Sequence, residues 1–200
     1  MDQFLRFFLP IYFILYFSMT FVVKSLVTAK KIGKNPMVLP NDDSAYGLIG
    51  VYFRWTMLTL LIYVVVYALF PSLYEHFLPM LAMERDWVKY TGIGLLLASF
   101  AWVVVAQNHM RLSWRIGIDT ETKTELITTG LFGISRNPIF LGMLVSLAGV
   151  FLTTPNALTL LILMLGYVLI QIQIRLEEAF LTTQHGEAYL QYCKKVRRLI

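Results

Sequence analysis

Residues 137–174 read NPIFLGMLVSLAGVFLTTPNALTLLILMLGYVLIQIQI, 38 positions without a charge between Arg136 and Arg175. Crossing roughly 30 Å of hydrocarbon at 1.5 Å per residue takes about 20 helical residues, so the run holds two crossings rather than one. It breaks at Thr153-Thr154-Pro155-Asn156, which leaves 18 positions before Pro155 and 19 after it. A break of that kind makes the pair a helical hairpin with a very short turn.

Three more gaps of one-crossing length lie upstream. There are 17 uncharged positions between Arg6 and Lys24, 20 between Arg54 and Glu75, and 21 between Lys89 and Arg111. The expected fold is therefore an all-α integral membrane protein with about five transmembrane helices, the last two forming the hairpin, and a cytosolic C-terminal helix. Composition agrees: 58% of the residues are hydrophobic and 14% charged, with a mean hydropathy of +0.65, whereas soluble domains carry about 25% charged residues. A disordered chain, a disulfide scaffold and a secreted enzyme are excluded on the same grounds. Cys193, the single cysteine, has no partner in the chain and reads as a free thiol in a reducing compartment. The stretch from Phe7 to Val23 has the length of a signal peptide, and Val27-Thr28-Ala29 resembles a cleavage site. Asp2 and Lys24 interrupt that pattern, so it is read as a retained first helix. Residues 1–200 form one membrane-embedded unit, without repeats or low-complexity tracts.

Basic residues are distributed unevenly about these helices. Fourteen Lys and Arg fall in or beside the segments 24–54, 110–137 and 175–200, among them Lys30, Lys31, Lys123 and Arg198, against Arg6, Arg85 and Lys89 on the other side. By the positive-inside rule the N-terminus is outside, the C-terminus is cytosolic, and the protein belongs in a cell inner membrane. The net charge of +5 thus reports topology, and nucleic acid is not an expected partner. The external segment 71–90 is a connector with Tyr74, His76 and Trp87 as interfacial anchors. The inner segment 24–50 is broken by Gly33, Asn35-Pro36, Pro40 and Asp42-Asp43 and leaves room for one short amphipathic piece.

Chemistry-bearing residues gather at the cytosolic mouth. Asn137 as N-cap and Pro138 at the first helical position start the fourth crossing, so Arg136 stands at the positive end of a helix dipole, a setting suited to a carboxylate or phosphate. An ordinary capped helix with a snorkelling arginine has the same sequence. On the fifth crossing Tyr167, Gln171, Arg175 and Glu178 are spaced four, four and three apart and share one face, which is expected to look inward because polar side chains are costly against lipid. The pair Glu177-Glu178 suits an ammonium or sulfonium, or a proton taken from a nucleophile. A surface ion pair between Arg175 and Glu178 is the alternative. His109 is a candidate base or an interfacial polar residue, and Gly92-Ile93-Gly94 permits close approach of a ligand or of another helix. No metal-ligand cluster, P-loop, nucleophile elbow or dinucleotide fingerprint occurs, and no metal is expected.

Leu126 to Gly142 (LITTGLFGISRNPIFLG), followed by Arg175 to Arg198 (RLEEAFLTTQHGEAYLQYCKKVRR), resembles the isoprenylcysteine carboxyl methyltransferase and phospholipid methyltransferase family. Ser113-Trp114-Arg115-Ile116-Gly117-Ile118 adds to the likeness. The resemblance runs from Thr91 onward, and it implies a small helical membrane enzyme whose half 91–200 holds S-adenosylmethionine (SAM). Methyl transfer to a lipophilic or amphipathic acceptor follows, a phospholipid amine or a prenylcysteine-like carboxylate. Matched by motif, it implies cofactor-binding roles for Arg136, Asn137, Gly130, Glu177, Glu178, Gly92, Gly94, Tyr189 and Tyr192. Catalytic roles fall to Glu178, Arg175 and His109, and Arg198 matches the family's final basic position. Asn137 replaces the usual histidine, Phe140 stands where a tyrosine is common, and Arg111 replaces a glycine. Methylation of a small thiol and a catalytically silent scaffold of the same fold are the alternatives.

Overall fold

The computed structural model describes residues 1–34, 37–38, 43–117 and 125–200, with the backbone alone for 37, 38, 112 and 116. Asn35-Pro36, Pro40 and Asp42, read as turn formers, and Ile118 and Lys123 lie outside the described residues. Seven α-helices follow one another: α1 Asp2–Phe17, α2 Lys24–Ile32, α3 Ala45–Leu69, α4 Asp86–His109, α5 Pro138–Thr153, α6 Ala157–His185 and α7 Glu187–Lys195. A π-helical turn, Ser18–Val23, joins α1 to α2 without a break. Two short strands, β1 Met37–Val38 and β2 Ile116–Gly117, pair in parallel.

Four helical stretches are long and apolar enough to cross a membrane: Asp2–Ile32, Ala45–Leu69, Asp86–His109 and Ala157–His185. The fifth expected crossing, α5, has 16 residues, about 24 Å at 1.5 Å each. It lies against α4 through small residues. A Cβ on Gly92 would come 2.7 Å from the Thr153 amide nitrogen, and one on Gly142 would meet the Val103 side chain at 2.4 Å. The indole of Trp102 donates to the Pro138 carbonyl at 2.9 Å, so the two helices run antiparallel with the start of α5 beside the end of α4.

In hydrocarbon each backbone polar group needs a partner within the protein. The turn at 153–156 meets this requirement by burying a polar knot. Thr153, Thr154, Asn156 and Thr159 are all 2% exposed or less. Asn156 caps α6 by accepting from the Thr159 amide at 3.0 Å, and the Thr159 hydroxyl accepts from the Asn156 amide at 3.3 Å. The Asn156 amide group also donates to the Tyr63 hydroxyl on α3 at 2.8 Å. Leu78 to Met80 close over the knot, with the Met80 amide donating to the Pro155 carbonyl and the Ala157 amide to the Leu78 carbonyl.

The segment expected to be a plain connector therefore has a structural job. Beside it, Lys89 is nearly buried and bridges Asp2 at 2.6 Å and Glu84 at 2.5 Å, while the Tyr74 hydroxyl donates to Glu84. Tyr74 thus ties this end of the bundle together, where sequence alone offered an interfacial anchor.

Toward the other end, the buried Gln107 side chain on α4 donates to the Thr20 carbonyl within the π-turn at 2.9 Å and ties that turn to α4. Between these ends Leu5, Leu9, Tyr12, Leu60, Tyr63, Leu96 and Val103 form the apolar core. The 29 residues of α6 span about 43 Å, more than the hydrocarbon is thick, so its C-terminal turns emerge with Glu177 and Glu178.

Asn156→Ala removes a helix cap and one hydrogen bond of the Tyr63 hydroxyl, losses of roughly 1 kcal/mol each. We expect a clear drop in the thermal unfolding midpoint in detergent, and a smaller one for Asn156→Ser, which keeps an uncharged accepting oxygen at the cap. Equal midpoints for Asn156→Ala and the wild-type chain would refute the knot's role.

Candidate functional site

Where α5 begins and α6 leaves the bundle, Glu178 lies between two guanidinium groups. Its Oε1 accepts from Arg136 Nη2 at 2.7 Å and from Nε at 3.1 Å. Its Oε2 accepts from Arg198 Nη2 at 2.7 Å and from Nε at 3.0 Å. Arg136 Nη1 also donates to the Val196 carbonyl at 2.7 Å and to that of Cys193 at 3.2 Å. Four of the five N–H donors of a guanidinium are thereby committed to the protein itself.

The backbone completes the attachment of the C-terminal tail. The Arg136 amide donates to the Arg197 carbonyl at 2.9 Å. Asn137 Nδ2 donates to the Arg198 carbonyl at 3.0 Å, and the fully buried Ser135 hydroxyl donates to the same oxygen at 3.4 Å. Burial works against the Arg136 charge, but the hydrogen bonds and charge of Glu178 more than offset it and hold the guanidinium above its ordinary value. Hydrogen bonding to Glu178 likewise raises Arg198.

Glu177, one residue earlier, points elsewhere, since successive helical residues are turned by about 100°. It lines an open cleft of roughly 780 Å³, counting the solvent at its mouth, together with Arg136, Asn137, Phe132, Phe180, Tyr189 and Tyr192. Met110, Ser113, Arg115, Gly117 and residues 125–127 close the other side. Among the described residues Glu177 has no hydrogen-bond or ion-pair partner. Tyr189 and Tyr192 are buried, and the Tyr192 hydroxyl donates to the Phe132 carbonyl at 2.6 Å. Burial pushes Tyr192 up to about 12 and raises Tyr189 as well, so both phenols are neutral at physiological pH.

Five of the anticipated residues, Arg136, Asn137, Glu177, Tyr189 and Tyr192, thus meet in one cleft, and Glu178 anchors them from behind. Gly130 and His109 form a neighbouring contact. Gly130 has φ +64°, and a Cβ there would come 2.6 Å from the His109 ring. His109 Nδ1 accepts from the Leu131 amide at 3.3 Å, which engages the basic nitrogen of the neutral imidazole. Arg175 does not join: it is exposed and donates to the Gln171 carbonyl at 2.6 Å and to Gln171 Oε1 at 2.9 Å. The polar face expected to look inward is split, for Tyr167 and Arg175 point outward and only Glu178 is enclosed. Neither the inward face nor an Arg175–Glu178 pair is formed, because Glu178 has two better-placed cations.

Gly92 and Gly94 are also elsewhere. Gly92 packs on Gly149 and Thr153 at the far end of α5, and Gly94 has open space around it. Ten residues separate Gly92 from Trp102, about 15 Å of helix, and the cleft lies beyond that. Sequence reasoning missed Ser135, Phe132 and Phe180, which carry no pattern of their own. It noted Arg198 only through the family likeness, since nothing in a tail with Lys194, Lys195, Arg197 and Arg198 marks one cation as buried against an acid.

A multi-pass helical membrane protein with a largely apolar cleft, carrying Arg136, Asn137 and Glu177, at one end of its bundle is what this architecture defines. The chain belongs to the phospholipid methyltransferase family, whose model matches residues 87–188, just over half of its length. No curated protein matches it. The matched segment runs from the start of α4 to the first turn of α7 and so contains Arg136, Asn137, Glu177 and Glu178. It stops before Tyr189, Tyr192 and Arg198.

The Glu178 contacts make the tail dependent on one carboxylate. Glu178→Ala should raise amide hydrogen exchange across 193–200 by at least tenfold while leaving the α3–α4 core protected. Unchanged exchange in the tail would show that the backbone bonds suffice.

Proposed function

We propose that this protein transfers the methyl group of SAM to a lipophilic or amphipathic acceptor, a phospholipid amine or a prenylcysteine-like carboxylate, at the cytosolic face of an inner membrane. The observation that carries this reading is Glu177, an acid without a hydrogen-bond or ion-pair partner among the described residues, in a cleft walled by neutral aromatics. A carboxylate taken from water without a counter-charge is costly, and a cationic ligand offsets that cost.

The residues present fit such a donor. Glu177 would hold its ammonium or lie against its sulfonium. The first-turn amides of α5, at Ile139 and Phe140, together with the one uncommitted N–H of Arg136, would hold its carboxylate. Tyr189, Tyr192, Phe132 and Phe180 offer apolar surface to its base. When bound, SAM supplies a methyl group on a positively charged sulfur, open to in-line attack.

The protein's share is alignment and exclusion of water, the two effects that dominate such displacements. Glu178 acts here as a clamp that keeps Arg136 and the tail in position. With the lone pair of His109 engaged, Glu177 is the group left to take a proton from an amine acceptor, and a carboxylate acceptor needs none. Orientation follows from charge: Lys30, Lys31, Arg111, Arg115, Arg136 and Arg198 lie at the cleft end of the crossings, which supports a cytosolic cleft and an external N-terminus.

Two measurements test this reading. Calorimetric titration of detergent-purified protein should show SAM bound at least tenfold more weakly by Glu177→Gln, about 1.4 kcal/mol or more. S-adenosylhomocysteine, which lacks the sulfonium charge, should lose affinity equally if Glu177 meets the ammonium and much less if it meets the sulfonium. Wild-type affinity for both ligands in that variant would remove Glu177 from the site. Incubating membranes with methyl-labelled SAM should place the label in lipid. Label in a volatile thioether would favour thiol methylation, and no transfer at all would favour a silent scaffold.

A further inference from the structure

We propose that Tyr46, at the start of α3 and outside the family-matched segment, is a positioning residue for Glu177: its phenol holds the turn of α6 that presents this carboxylate to the cleft. The inference rests on the SAM-binding reading above. Its geometric basis is the hydrogen bond from the Tyr46 hydroxyl to the Leu176 carbonyl, the peptide oxygen immediately before Glu177. In a regular helix that oxygen also receives the Phe180 amide, and a carbonyl has lone pairs for both donors. The second donor therefore pins one turn of α6, with Glu177 and Phe180 on it, to α3.

Tyr46 is itself held. Ser44 caps α3 by accepting from the Gly47 amide at 3.2 Å, and Gly47 and Ile49 are buried. A second link joins the same inner segment to the cleft: β1 pairs with β2, placing Val38 opposite Gly117, and Gly117 lines the cleft. The N-terminal third of the chain thus reaches both the loop after α4 and the acid on α6.

The physical need is clear from the neighbouring acids. Glu178 is immobilised by Arg136 and Arg198, whereas Glu177 has no partner among the described residues and is repelled by Glu178. Its direction is consequently set by the backbone of its own turn, and Tyr46 is the side chain outside α6 that bonds to that backbone just before it. The role is one of aim, since the phenol touches the peptide and not the ligand.

The test is a double-mutant cycle on the full-length protein in detergent, with SAM titrated into wild type, Tyr46→Phe, Glu177→Gln and the double variant. Tyr46→Phe keeps the ring and removes the hydroxyl. It should weaken SAM binding about threefold to tenfold, in line with the net worth of one hydrogen bond, with no more than a small fall in the thermal midpoint. The same substitution should have no further effect once Glu177 is Gln. An undiminished affinity in Tyr46→Phe, or an equal loss in both backgrounds, would overturn the proposal while leaving SAM binding by the wild type intact. Failure of the wild-type chain to bind SAM would overturn the parent reading and this one with it.

Discussion

Glu178 stands between Arg136 and Arg198 with one oxygen turned to each, and three pieces of chain distant in sequence meet through it: the entrance to α5, the exit of α6 and the C-terminal tail. Each guanidinium directs two N–H groups at one oxygen, and charge-assisted hydrogen bonds of this kind are roughly twice as strong as neutral ones. The arrangement also leaves one surplus positive charge beside the start of α5, where the helix dipole is positive too. One residue away and a third of a turn around, Glu177 brings a carboxyl group with no partner among the described residues to the same cleft. Two adjacent glutamates thereby take different parts, one consumed by two guanidinium groups and the other facing the cleft.

A second constraint runs through the molecule, the demand that backbone polar groups at membrane depth find partners inside the protein. It explains why the hairpin turn is built from threonines and an asparagine and is covered by Leu78 to Met80. The same demand applies to Gln107, a polar side chain buried on an apolar helix, whose amide group donates to the Thr20 carbonyl in the π-turn. At the cleft end Ser135, Asn137 and Arg136 together satisfy the carbonyls of Val196, Arg197 and Arg198, so the tail is held by the loop as much as by charge.

Helix number and the hairpin were legible in the sequence because charge spacing and a Thr-Thr-Pro-Asn break are one-dimensional signals. The start of α5 at Pro138 and the gathering of Arg136, Asn137 and Glu177 were legible for the same reason, each lying at a helix end. What the sequence did not disclose was rotation about the helix axes. Tyr167, Gln171 and Arg175 fit an inward polar stripe by spacing, yet Arg175 satisfies itself on Gln171 and faces out. Gly92 and Gly94 were tied to the site by motif alone, and the course of α4, antiparallel to α5, carries them to the far end. The different fates of Glu177 and Glu178 depend on which cations arrive from α5 and the tail, and no local pattern records that.

One dimension of α5 has a consequence for the surrounding lipid. At about 24 Å it falls some 6 Å short of a typical hydrocarbon slab, and its Thr153 end is pinned by the buried turn. The shortfall therefore falls at the Pro138 end, beside the cleft. A span shorter than the slab is accommodated by local thinning of the bilayer. Such thinning would bring a lipid-borne head group to the depth of the cleft without a journey into bulk water.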